Sequence, residues 1–120
     1  LAARTALLCG SGADLRRIVW DPGCGFGKTA DQTWRLLAET RRLGALAGRP
    51  VMTAVSRKGS IGKLLARETR PDERDAASTA AALFAADRGA RILRVHDVAG
   101  AVDSLRVWTM LRRLETAGAA

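Results

Sequence analysis

The chain has 120 residues, one ordinary domain by length, and its 48% hydrophobic content exceeds what a disordered segment carries. A net charge of +8, from 20 Lys and Arg against 12 Asp and Glu, favours an anionic partner. The arginines are dispersed and there is no Tyr, so the clustered cations with interleaved aromatics of a nucleic-acid surface are missing.

No apolar run approaches the roughly 20 residues of a membrane span. Cys9 and Cys24 form no CxxC pair, which argues against a structural zinc site and suits a reducing cytosol. A cytoplasmic protein is expected. Leu1 to Gly10 lack both a signal-peptide layout and an initiating Met. The expectation is a fragment that begins inside an element.

In chain order, Ala2 to Cys9 read as a helix end closed by the Gly10-Ser11-Gly12 turn. Ile18 to Asp21 form a short apolar run of the buried parallel-strand type, followed by a Gly-rich loop, Pro22 to Lys28. Thr29 with Gln32 three residues on predicts a capping box and a helix running to Gly44–Gly48. Val51 to Ser56 are a second strand, and a short helix is expected over Ile61 to Arg67. Pro71-Asp72 lead into an alanine-rich helix, Glu73 to Arg88, stopped by Gly89. Ile92 to Val95 are the third strand. The last helix starts near Val98, with Val102, Leu105 and Trp108 on one face and Val107, Met110, Leu111 and Leu114 on the other. Two apolar faces predict two neighbours.

Strands alternating with helices imply right-handed βαβ units and a parallel sheet. Three strands cannot close a barrel. In such folds ligands sit beyond the carboxyl ends of the strands. There the chain places Asp21 and its glycine loop, then Ser56-Arg57-Lys58, then Arg94-Val95-His96-Asp97. A rim of one carboxylate, an Arg-Lys pair and an Arg-His pair suits a polar heterocycle joined to an anion.

Each residue also has a plainer reading. Asp21 can accept paired hydrogen bonds from a 2-aminopyrimidinone edge, or simply cap the turn before Pro22. Phe26 can cover a pocket, or pack on the helix below. Lys58 can address a heterocycle carbonyl or ring nitrogen, while Arg57 can support the rim by pairing with a carboxylate; both can equally be solvated. Arg94 and His96 alternate along one strand and so share a face, suited to an anionic leaving group. His96, the only histidine, is otherwise a structural one. The loop Gly23 to Thr29 is one residue short of a nucleotide-hydrolysing P-loop, because its first glycine position is Pro22.

Taken together, Asp21-Pro22-Gly23-Cys24-Gly25-Phe26-Gly27-Lys28-Thr29, Ser56-Arg57-Lys58 and Arg94-Val95-His96-Asp97-Val98 resemble dihydropteroate synthase over Ile18 to Val98. The resemblance implies an α/β fold, with residues 1–120 as the C-terminal three βα units of a (β/α)₈ TIM barrel. It implies condensation of 6-hydroxymethyl-7,8-dihydropterin pyrophosphate with p-aminobenzoate, giving 7,8-dihydropteroate and pyrophosphate. By it, Asp21 and Lys58 contact the pterin. Phe26, Lys58 and Gly59 line the p-aminobenzoate pocket, Arg94 and His96 hold the pyrophosphate, and Arg57 serves the rim. No residue is assigned as acid or base, and no metal ligand lies in this chain. Mg²⁺ is implied, bound mainly through the pyrophosphate, as is a homodimer of the full-length protein formed through C-terminal helices.

The family's remaining pterin-binding Asp and Asn belong to earlier strands, so the chain alone is expected to be inactive. Two departures stand out. Gly59 replaces a Ser common in the family, with Ser60 next to it, and the strand Met52-Thr53-Ala54-Val55 is smaller and more polar than usual. A divergent, synthase-like paralogue without this activity is the alternative.

Overall fold

The computed structural model describes residues 1–118. Three segments run parallel and side by side. Trp20 forms a single bridge with Val51, while β1 (Met52–Thr53) pairs with β2 (Ile92–Leu93), Met52 opposite Ile92 and Thr53 opposite Leu93. The order across the sheet is the order along the chain. Trp20 donates its N–H to the Pro50 carbonyl at 2.9 Å and accepts from the Met52 N–H at 2.8 Å, the slanted pattern of a parallel pair.

Every strand is shorter than its sequence predicts. The first leaves the ladder after Trp20, where Asp21 turns the chain and Pro22 has no N–H to offer. The second leaves after Thr53, although Ala54, Val55 and Ser56 remain buried. Arg94 still donates its main-chain N–H to the Thr53 carbonyl at 2.9 Å. Regular pairing on β2 nevertheless ends at Leu93, so Arg94 and His96 lie beyond the strand rather than alternating along it.

The helices are α1 (Ala2–Gly10), α2 (Ala30–Ala38), α3 (Thr40–Ala47), α4 (Gly59–Leu64), α5 (Asp75–Asp87) and α6 (Val98–Ala117). The predicted capping box is present. The Thr29 hydroxyl accepts from the Gln32 N–H, and the Gln32 side chain accepts from the Thr29 N–H. The single helix expected after it is instead two. Thr40 donates its hydroxyl to the Leu37 carbonyl at 2.7 Å, a side-chain bond that competes with the helical ladder, and the chain bends at Glu39. The short helix begins two residues earlier than predicted and ends at Leu64; Ala66, at φ +53°, bars its continuation. Asp72–Arg74 form a 3₁₀ turn ahead of α5.

The core lies between the sheet and α2, α4 and α5. Its buried centre is Cys24, Leu37, Val55, Ile61 and Ala85, flanked by half-buried Trp34 and Leu93. Ser78, Ala82 and Ala85 form the buried stripe of α5 at helical spacing. Small side chains there let α5 approach α2 and α6 closely. Burying Ile61 and Val55, at 1% and 2% exposure, contributes roughly 1.5–3 kcal/mol each.

The last helix departs from expectation. It packs on α5, but Ala101 is its only buried residue among those described. Val107, Met110, Leu111 and Leu114 are each more than half exposed. The second neighbour that its apolar pattern calls for is absent among the described residues.

Candidate functional site

The glycine loop after Trp20 is held by its own side chains. Asp21 accepts the Gly23 N–H on Oδ1 at 2.8 Å, closing a tight turn. Lys28 donates from Nζ to the carbonyls of Gly23 and Phe26, both at 3.1 Å. Thr33 accepts the Gly25 N–H on Oγ1 at 3.2 Å, anchoring the loop to α2. The turn-capping reading of Asp21 is therefore realised, and its Oδ2 has no hydrogen bond among the described residues.

Lys58 crosses this loop. Its ammonium lies 3.7 Å from the Phe26 ring centroid, a cation–π contact. The crossing requires glycine at position 25, where φ is +77° and a Cβ would stand 3.0 Å from Lys58 Cδ. Phe26 does not pack on the helix beneath it; 67% exposed, it stands at the open rim with the lysine over its face.

The third motif meets the second through Ser56, whose Oγ lies 3.2 Å from the His96 main-chain nitrogen and 3.0 Å from His96 Nδ1. Arg94 is exposed, and its guanidinium makes no hydrogen bond or ion pair among the described residues. Gly59 opens α4 with empty space where a Cβ would point. Beside it an open depression of about 640 Å³ runs along Lys63, Thr69, Arg70 and Arg74. The structure thus groups Lys58 with Phe26 over the Asp21 loop and joins His96 to Ser56. Among the described residues Arg94 is left without a side-chain partner.

Residues 1–96 match the family described as pterin binding enzyme. The chain belongs to that family.

Among its relatives, the dihydropteroate synthase of Haemophilus influenzae is 40% identical over 108 residues, spanning 90% of this chain. That of Neisseria meningitidis serogroup C is 43% identical over 111 residues, spanning 92%. The matches cover only 38% and 39% of those two proteins. A solved Xanthomonas albilineans dihydropteroate synthase, bound to 7,8-dihydropteroate, superposes with a TM-score of 0.87 at 49% identity, over 92% of this chain and 42% of that one. The same enzyme with 4-aminobenzoic acid also gives 0.87. The fold is accordingly part of an α/β barrel, as the resemblance implies.

Several residues that shape this candidate site carry no sequence signal. Asp75 takes a two-pronged pair from Arg57, with Nε and Nη2 each at 2.7 Å from its oxygens. This is the carboxylate partner expected for Arg57. Those hydrogen bonds hold the Asp75 carboxyl below the usual carboxylate range and raise the guanidinium in turn. Ser78 accepts the Arg57 main-chain N–H at 2.9 Å, and Arg74 donates to the Arg57 carbonyl at 3.1 Å. Together they fix Arg57 at φ +59°, the turn that sends Lys58 back over Phe26. Cys24, under the loop, is 1% exposed; burial first, and Asp21 second, push its thiol up, so it is a protonated core residue. Spacing alone reveals none of these partners, because they come from α5 and the turn before it, 17 to 21 positions away from Arg57.

Proposed function

We propose that this chain supplies one side of the active site of a dihydropteroate synthase. The observation that carries this is the meeting of the three strand-end motifs on one rim, Lys58 over Phe26 beside Asp21, with Arg94 and Ser56-held His96 next along the sheet. In this reading Asp21 and Lys58 orient the pterin, Phe26 and Gly59 face p-aminobenzoate, and Arg94 and His96 receive the departing pyrophosphate. Arg57, locked to Asp75, aims the Lys58 loop.

The chemistry is positioning and charge stabilisation. The Arg94 cation and a His96 N–H donor next to the leaving group offset its growing negative charge, and no covalent enzyme intermediate is needed. No three His, Cys, Asp or Glu side chains stand together as metal ligands among the described residues. In the reading proposed, Mg²⁺ is carried mainly on the pyrophosphate. No described helix is long and apolar enough to cross a membrane. The full protein in this reading is a cytoplasmic homodimer, and residues 1–120 are one C-terminal part of its barrel, inactive alone.

The test is a chimaera carrying this chain in place of the matching part of the Xanthomonas albilineans enzyme. It should form 7,8-dihydropteroate, and Lys58→Ala or Arg94→Ala should lower kcat/KM by about 100-fold. The isolated chain should form none. A folded chimaera that binds pterin but makes no product would establish the second reading, a divergent paralogue. Gly59 favours that reading, since it lacks the hydroxyl usual in the family, and its open surroundings would admit Gly59→Ser without a clash.

A further inference from the structure

Ser56 is 5% exposed and serves two atoms of one residue, the main-chain nitrogen and Nδ1 of His96. A hydroxyl has one proton and two lone pairs. The main-chain N–H can only donate, so it occupies one lone pair of Ser56 Oγ. No other partner of this hydroxyl exists among the described residues. If Nδ1 carried the ring proton, it too would donate to Oγ, and the serine proton would be left buried with no acceptor. If Nδ1 is bare, it accepts the serine proton, and every group is satisfied.

We infer that Ser56 holds the neutral His96 ring in its Nε2–H tautomer, making Ser56 a positioning residue that leaves the ring one N–H donor for the rim. His96 is exposed, so Nε2 is the nitrogen left for a ligand. A donor there suits an anion; an acceptor would repel it. The tautomer stands on the Ser56 geometry alone. Only the nature of the anion, a phosphate-class group, rests on the proposed function.

His96 is the chain's only histidine, so its ring nitrogens give the only imidazole signals. Long-range ¹H–¹⁵N spectra of the labelled chain, recorded where they show a single ring proton, should place that proton on Nε2. Nδ1 should resonate upfield of a free unprotonated nitrogen because it accepts a hydrogen bond. Ser56→Ala should return Nδ1 to the free position, while Ser56→Thr, which keeps the hydroxyl, should hold it near the original one. A proton on Nδ1 in the unmutated chain, or an Nδ1 signal unmoved by Ser56→Ala, would overturn the inference. The unmutated spectrum decides it even if Ser56→Ala does not fold. Inorganic pyrophosphate should then shift the Nε2 signal, about 5-fold more weakly binding in Ser56→Ala, the worth of one ordinary hydrogen bond. An Nε2–H ring indifferent to pyrophosphate would keep the inference and sink the anion reading.

Discussion

Arg57 has a side chain bound to Asp75 and a main chain held on both sides by α5 and the turn before it. That combination keeps a residue with a Cβ in the left-handed region, where it is ordinarily disfavoured. The loop's shape is thus made by residues some twenty positions away, at Asp75 and Ser78. Because the folded protein holds the Asp75 carboxyl below its ordinary value of about 3.9, its stabilising effect is complete above that value and fades as pH falls through the folded-state value. Urea unfolding should therefore find Asp75→Asn less stable than the parent at pH 7. The parent should lose stability more steeply between about pH 5 and pH 2, and the two should converge in acid. At this scale the sequence named the polar side chains that follow the strand ends. It could not show that one oxygen of Asp21 is already used within its own loop, or that Ser56 stands against His96. Those facts depend on main-chain geometry and on contacts across 40 positions.

Elements were legible where their signals are local. The capping box at Thr29 is such a signal, and both of its hydrogen bonds form. Thr29→Ala should lower the unfolding free energy by about 1 kcal/mol, measured by denaturant titration. The break at Glu39 was not legible, since Thr40 acts through a buried hydroxyl that reaches back to Leu37 and looks like any other helical threonine in sequence. Strand lengths were overestimated for a related reason. An apolar run marks burial, and Ala54 to Ser56 are indeed buried, yet ladder pairing stops at Thr53. Thr53 itself carries a buried hydroxyl with no partner among the described residues. Replacing it with Val removes that unmet polar group while keeping its shape, so Thr53→Val should raise stability by about 1 kcal/mol in the same titration.

The whole molecule is more spread than a closed domain. Its radius of gyration is 15.8 Å with extents of 45 × 44 × 24 Å. A compact chain of this length has a radius of about 13.5 Å. Such a flat body, with its core between the sheet and α2, α4 and α5, is consistent with part of an α/β barrel. On α6 the apolar residues Met110 and Leu114 are each 57% exposed. Large exposed apolar patches promote association. Light scattering on the isolated chain should show self-association that grows with concentration. Met110→Glu with Leu114→Glu should suppress it and leave the far-ultraviolet circular dichroism unchanged, since neither side chain belongs to the core.

What the sequence determined by itself is the family, the order of strands and helices, and the cast of polar residues at the strand ends. Each of these is written in runs of a few neighbouring residues, through periodicity, turn chemistry or a motif. What only the tertiary structure decided is how that cast is posed. Lys58 lies over Phe26 because Gly25 leaves room and α5 turns Arg57. His96 meets Ser56 because β1 and β2 pair in one register. Those placements come from packing between distant segments, and no local pattern encodes them.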